Sequence, residues 1–367
     1  MAEKKSKQEL LFDNLEQCFG KSFICKGSDV KIKDVIPTSY KELDEATGVG
    51  GVPRGIIVEL FGPEASGKGV VSMHLCAEAQ KMKLKALWVD AENQFNGPWM
   101  TLNGVDIDNL ILMQPHLQSA EDILESIKRL VEAKACDLVI IDSLASLVPQ
   151  IEIDKTMGET QVGRMGAIMS TALRKLTPIS AVNNCTIIFI NQVREKIGVM
   201  WGSPETTPGG KSLGHYASMR LRIAKTSDKI EVDRGEGAGN EQIGINSKVI
   251  VKKNRFGMPY KEAIIPIYFE AYSPSPLELF IIFLRKSGVL TIRKGTYYFN
   301  KFAGETLMEV IEIVVANESI PELLEKLNTQ IKKKKIDLPV VIEENPKIGE
   351  IIDSMKSGKF TIEAFNK

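Results

Sequence analysis

Residues 62–70, GPEASGKGV, have the composition and spacing of a loop that holds phosphate. Gly62, Gly67 and Lys68 match the pattern G-x-x-x-x-G-K, with Pro63, Glu64, Ala65 and Ser66 between them and Gly69 and Val70 after. In such a loop the bare backbone N–H groups and the start of the following helix cradle phosphate oxygens, and the lysine meets the terminal phosphates as a point charge. The pattern usually continues with Ser or Thr, whose hydroxyl ligates magnesium; here Gly69 stands in that place. Ser66, inside the loop, is placed to compensate in part, whereas Ser72 is a turn too far along the helix. The expectation is a nucleotide site that binds but hydrolyses slowly.

Two carboxylates complete this chemistry. Asp142 ends the apolar run DLVIID, where it is placed to hold magnesium through water. Glu92 ends WVDAE, where it either orients and deprotonates a water attacking the γ-phosphate or is a plain surface charge at a strand end. Trp99, in FNGPWM, either stacks on a nucleobase or belongs to the core.

These residues need a scaffold, and the chain has the rhythm of one. IIVELFG (56–62), KALWVDAE (85–92), NLILMQP (109–115), DLVIIDSLA (137–145) and CTIIFINQ (185–192) read as buried strands. They alternate with helical stretches at 70–83, 120–133 and about 160–176. Buried strands alternating with helices predict an α/β fold with a mostly parallel central sheet covered on both faces. ASMRLRIAK (217–225), SKVIVKKN (247–254) and EAIIPIYFE (262–270) follow without helices between them, which predicts antiparallel strands extending one edge. An amphipathic helix at 5–19 opens the chain. The texture changes after SPSP (273–276). The expected organisation is a helix and arm at 1–35, a core at 36–270 and a small α/β domain at 271–367.

Composition narrows the function classes. The 367 residues carry 47 Lys plus Arg against 47 Asp plus Glu, so any nucleic-acid binding must come from local basic clusters. Three histidines make a histidine metal site a poor expectation, and five scattered cysteines read as reduced core thiols of a cytosolic protein. No apolar run is long enough for a signal peptide or a membrane span.

GPEASGK, WVDAEN, LVIIDSLASLVP and above all IFINQVREKIGVMWGSPETTPGG resemble, in order and in spacing, the RecA family of homologous recombinases, closest to its bacterial and phage branch. The resemblance runs from about residue 5 to 270 and is loose beyond. It implies a RecA-type ATPase core using ATP and Mg2+, which assembles into a helical filament on single-stranded DNA and pairs it with homologous duplex. Glu92 then falls at the family's water-activating glutamate, Trp99 at its adenine-stacking aromatic and Asn96 at a polar adenine contact. Gln192 falls at the glutamine that senses the γ-phosphate. Lys253 and Arg255 match two basic residues that reach the ATP of the neighbouring subunit, the second being usually lysine. The helix at 5–19 resembles the arm that docks on the adjacent protomer. Gly214 and His215 replace a lysine and a bulky aromatic that couple subunits.

Two stretches are the expected DNA loops. Residues 193–211 hold four glycines and two prolines with little periodicity, and a loop of that length in a compact domain is usually functional. It offers Arg194, Lys196 and Lys211 to phosphates, and Gly209 and Gly210 as close-approach backbone. Ile197 falls at the family's wedge between base triplets. The other loop, about 150–163, is more acidic than basic, and Val162 falls at a second wedge position. Arg174 matches a basic residue on the following helix; Ala167 departs from another, and Arg164, three residues earlier, is the proposed substitute. In the C-terminal part Arg285, Lys286, Arg293, Lys294 and Lys332–Lys335 either gather duplex DNA or are solvated charge. Two alternatives remain at this point: an ATP-binding filament former with little turnover, and a hexameric helicase of the same fold.

Overall fold

The fold comes from a computed structural model, which describes residues 34–155, 163–195, 205–233, 240–269, 287–293, 296–304, 307–334 and 346–361, with single positions at 11, 12, 14, 15, 17, 18, 280, 284, 336 and 338. The chain divides into two compact units, Met1–Thr226 with Ser247–Ile265, and Ser227–Asn246 with Pro266–Lys367.

The elements run β1 (Val35–Ile36), α1 (Lys41–Thr47), β2 (Val52–Pro53), β3 (Ile57–Gly62), α2 (Lys68–Lys81), β4 (Ala86–Asp90), α3 (Gly97–Leu102), β5 (Ile111–Met113) and α4 (Ala120–Glu132). They continue with β6 (Leu138–Asp142), α5 (Gln150–Ile153), α6 (Arg164–Asn183), β7 (Thr186–Gln192), β8 (Arg194–Glu195), β9 (Glu205–Thr206) and α7 (Ser212–Tyr216). The long strands β10 (Met219–Asp233) and β11 (Asn240–Asn254) and the strand β12 (Glu262–Tyr268) follow. One eight-stranded sheet has the order β12-β11-β10-β3-β7-β6-β4-β5. From β10 to β5 every neighbouring pair is parallel.

The central strands are apolar throughout because helices cover both of their faces, so each residue needs a dry neighbour whichever way it points. Val139, Ile141, Ile187 and Phe189 are fully buried against Ile127 of α4 and Leu173 and Leu176 of α6. Each such side chain contributes about 1.5–3 kcal/mol. Helix α4 starts where the sequence signals it: the Ser119 Oγ accepts from the Asp122 N–H at 3.2 Å, and Glu121 and Asp122 sit at the positive end of the helix dipole. Helix α6 runs seven residues past the expected end at 176, through Pro178, to a left-handed Asn184 at φ 53°. Pro178 is exposed, so its ring lies on the solvent side of the helix.

The second unit has its own core, in which Phe299, Val310, Ile311, Val314 and Ile351 are fully buried. An antiparallel sheet β13 (Thr291–Arg293), β14 (Thr296–Phe299), β15 (Phe302–Gly304) precedes helices α8 (Leu307–Ala316), α9 (Ile320–Lys334) and α10 (Pro346–Lys356). Lys332–Lys334 form the last turn of α9. Arg285, Lys286, Lys294 and Lys335 lie outside the described residues. Most of the helix expected at 5–19 does too, although the six positions described there are helical. Cys76, Cys136 and Cys185 are buried thiols; Cys18 is exposed, which corrects its reading as a core residue, and Cys25 is not among the described positions. No helix of the described residues is long and apolar enough to cross a membrane.

Candidate nucleotide site and DNA-facing loops

The phosphate loop leaves β3 at its C-terminal end and enters α2, the position at which open α/β sheets bind ligands. Gly62 is obligatory: a Cβ there would lie 1.8 Å from the Ile223 carbonyl oxygen. Gly67 caps α2 in the left-handed region, at φ 92°. Lys68 is buried and donates to the carbonyls of Gly62 (3.0 Å) and Pro63 (2.6 Å). Burial lowers its pKa, opposed by the charges of Asp142, Glu92 and Glu64. Gly69 is under no such constraint, since a Cβ there would meet nothing within 4 Å. Val70 is half-buried on the first turn of α2, and Pro63, Glu64 and Ala65 are exposed. Ser66 is buried with its hydroxyl given to the Pro63 carbonyl (2.8 Å), so it is already engaged as a loop brace. Ser72 donates to Lys68 O at 3.0 Å and is likewise turned inward.

The carboxylates gather because β4 and β6 pair in register, with Asp90 opposite Asp142. The Asp142 carbonyl also accepts the N–H groups of Ala91 (2.8 Å) and Glu92 (3.3 Å), which ties Glu92 to the same strand end. The Glu92 Oε1 accepts from the hydroxyls of Ser143 (2.5 Å) and Ser146 (3.3 Å). Asp90 is spent on structure: it accepts from the N–H groups of Gln94 (2.9 Å) and Phe95 (3.0 Å) and so shapes the turn after β4. Burial, and then the charges of Glu92 and Asp90, push the Asp142 carboxyl up to about 7, while Lys68 acts against them. Asp142, Glu92 and Glu64 surround the one Lys68 ammonium, an acidic setting that fits a divalent cation. Among the described residues no group of three ligating side chains forms, so the cation would be held by Asp142, water and phosphate rather than by a protein cage.

Asn96 caps α3, its Oδ1 accepting from the Trp99 N–H at 3.0 Å, and Trp99 is half-buried on that helix. Gln192 closes β7 directly opposite Gly62 and stands at the head of the loop 193–211. Lys253 donates to the carbonyls of Gly214 (2.9 Å) and His215 (2.8 Å), and Arg255 reaches toward the latter at 3.5 Å. Their partners thus lie on α7.

In the second expected DNA loop, 193–211, Gly209 and Gly210 have φ of 85° and 74°. A Cβ on Gly209 would press on Leu144 at 2.8 Å, and one on Gly210 on the Gly166 Cα at 3.3 Å, so this turn lies against the N-terminal part of α6. The Gly-Gly turn, with Gly209 buried and Gly210 exposed, therefore lies beside the helix start. Arg164 and Arg174 are exposed on α6, and Lys211 is exposed at the start of α7. Val162, Lys196 and Ile197 lie outside the described residues, and Arg194 is described in its backbone alone.

The model of the RecA N-terminal domain matches residues 7–272. The chain belongs to the RecA family. Similar curated relatives are the Protein RecA of Caldanaerobacter subterraneus subsp. tengcongensis (43% identical over 271 residues, 73% of this chain and 77% of that one) and of Thermotoga neapolitana (39% over 348 residues, 91% and 95%). Another is the Protein RecA of Ruminococcus albus, 45% identical over 73% of this chain and 65% of its own. A likeness to the RadB recombinase structure, TM-score 0.47 at 22% identity over 64% of this chain and 96% of that one, is too slight to add to this. As a RecA homologue the chain is an ATP-dependent DNA strand-exchange recombinase and a DNA-dependent ATPase, which decides against the helicase alternative.

Within this RecA-type site the raised Asp142 pKa has a definite sign. The folded, nucleotide-free chain keeps a proton that the unfolded chain loses near 3.8, so this group favours folding at low pH and opposes it increasingly as pH rises toward 7. A cation held at Asp142 would compete with the same proton. The magnesium needed for half-maximal binding of a fluorescent ATP analogue is expected to rise, by up to about tenfold per pH unit, below about pH 7 and to level off above it. Asp142→Asn should reduce that slope to the part that the nucleotide's own terminal phosphate contributes.

Arg164→Ala is expected to weaken single-stranded DNA binding and to reduce the slope of log affinity against log salt by about 1. An unchanged slope, measured by anisotropy of a labelled oligonucleotide, removes Arg164 from the interface.

Sequence reasoning missed Ser143 and Ser146 as partners of Glu92. The signal was present: serines one and four residues after the strand-ending Asp142.

Proposed function

We propose that this recombinase binds ATP with magnesium between adjacent protomers of a helical filament on single-stranded DNA, and that the bound triphosphate sets the posture of the loops that hold the strand. One observation carries this reading: Gly62 and Lys68, Gln192, Asp142 and Glu92 stand at the C-terminal ends of four adjacent strands, β3, β7, β6 and β4, and Gln192 leads straight into the glycine-rich loop 193–211. Lys68 holds the terminal phosphates, Glu92 orients the attacking water through a carboxylate fixed by two serine hydroxyls, and Asp142 holds the cation through water. Magnesium, when bound, neutralises phosphate charge. Lys253 and Arg255 reach the neighbour's nucleotide. Gly209, Gly210, Lys211, Arg164, Arg174 and Arg194 take phosphates of the DNA, and the wedge role falls to Ile197 and Val162.

Assembly needs an uncovered surface. One of the two outermost strands of the sheet, β5, shows Ile111 and Leu112 at 39% and 37% exposure, an apolar edge that a second copy can cover.

The test is strand exchange between a single strand and homologous duplex, with ATP and with a nonhydrolysable analogue in parallel. Joint molecules under both conditions support the proposal; none under either contradicts it. A slow enzyme is expected, because Gly69 supplies no hydroxyl. Gly69→Thr has room for its Cβ and should raise DNA-stimulated hydrolysis about tenfold, the worth of one charge-assisted contact. An unchanged rate would show that water replaces the hydroxyl without loss.

A further inference from the structure

Glu59 lies in the middle of β3 and is fully buried, a place where an unpaired carboxylate is strongly disfavoured. Its two oxygens are held from two sides. Arg220 of β10 donates from Nε to Oε2 at 2.5 Å, and Asn191 of β7 donates from Nδ2 to Oε1 at 3.1 Å. Asn191, also fully buried, makes two further bonds: its Nδ2 reaches the Pro208 carbonyl at 3.1 Å, and its Oδ1 accepts from the Gln192 N–H at 3.1 Å. One amide therefore fixes the backbone of Gln192 and the residue just before the Gly209–Gly210 turn.

The other arm leads to α7. The Arg220 guanidinium stacks on Phe61, 4.5 Å from the ring centre, and lies 3.5 Å from where a Cβ on Gly214 would stand. The carbonyls of Gly214 and His215 in turn receive Lys253. Arg255 and Arg220 both repel the Lys253 charge, and Glu59 is the anion that offsets them. Pro208, Asn191, Glu59 and Arg220 thus form an unbroken run of contacts, and Arg220 ends it beside Gly214, whose carbonyl receives Lys253. A buried ion pair of this kind contributes little net stability but fixes register.

We infer that Glu59 and Asn191 are positioning residues that lock the strand end bearing Gln192, the base of the DNA loop and the basic pair Lys253 and Arg255 into one unit, so that nucleotide occupancy is transmitted to the DNA loop through them. The inference rests on the roles given to Gln192, Lys253 and Arg255 under the proposed function. Neither residue touches nucleotide or DNA, so their loss should change coupling rather than either affinity taken alone.

The experiment compares wild type with Asn191→Ser and Glu59→Gln. Three quantities are read: affinity for a fluorescent ATP analogue, single-stranded DNA affinity without nucleotide, and DNA affinity with ATP. Thermal melting confirms folding, and Asn191→Ser carries the test should Glu59→Gln fail to fold. Wild type should gain about tenfold or more in DNA affinity on adding ATP, within the usual range of allosteric coupling. In the variants the first two affinities should stay within about twofold, while the gain falls below about threefold. A wild-type gain that folded variants keep overturns the inference alone. A wild type that shows no gain overturns the reading beneath it, and the inference with it.

Discussion

Glu92→Gln is expected to lower DNA-stimulated ATP hydrolysis by about 10²–10⁴-fold while ATP binding and ATP-dependent DNA binding persist. The substitution keeps the shape of the side chain and an oxygen that can still accept from Ser143 and Ser146, so the strand end should hold its geometry. What it removes is the negative charge and the basicity that orient and deprotonate water. Phosphate release at saturating single-stranded DNA measures the first effect, and equilibrium binding of a labelled oligonucleotide with ATP the second. Loss of both together would mean that Glu92 is part of the binding framework rather than the hydrolytic machinery.

Lys68→Ala should differ from Glu92→Gln, losing nucleotide binding as well as turnover. The ammonium rests on the Gly62 and Pro63 carbonyls, with the carboxylates of Asp142, Glu92 and Glu64 around it. It is therefore a positive charge set against a cluster of acidic side chains, and its removal leaves the incoming triphosphate facing those acidic groups uncompensated. Removing one preorganised charged donor costs about 10²–10³-fold in turnover, and ATP affinity should fall along with it. Filament formation and DNA binding would then lose their dependence on ATP. An ATP affinity within about twofold of wild type would show that the backbone cradle alone supplies the binding energy.

The scaffold was legible in the sequence because its strands are buried on both faces. The runs around Ile57–Gly62, Leu138–Asp142 and Thr186–Gln192 are apolar without alternation, and the helices between them carry capping and charge signals such as those around Ser119. Outer strands were read less well. Strands β10 and β11 extend well beyond the apolar cores expected at 217–225 and 247–254, because their added residues, such as Ser227, Asp228 and Lys229, are polar and exposed. Helix α3 was not anticipated, although Asn96 before Gly97-Pro98 is a cap followed by a first-turn proline. At the site, Gly62, Lys68, Glu92 and Asp142 could be placed from spacing, since each sits at a strand end. The buried polar run could not. Glu59 hides within an otherwise apolar strand, and its partner Arg220 is 161 residues away in sequence, so no local pattern links them. The inward turn of Ser66 was equally hidden, because it depends on the loop carbonyl it meets.

The account stands on coupling between the triphosphate and the DNA loop. The most direct measurement is the affinity and oligomeric form of the protein on single-stranded DNA, with ATP, with a nonhydrolysable analogue and with no nucleotide. The account predicts tight binding in long helical assemblies with either triphosphate, and binding weaker by about tenfold or more, without such assemblies, in its absence. Equal affinity and the same oligomeric form in all three conditions would contradict it.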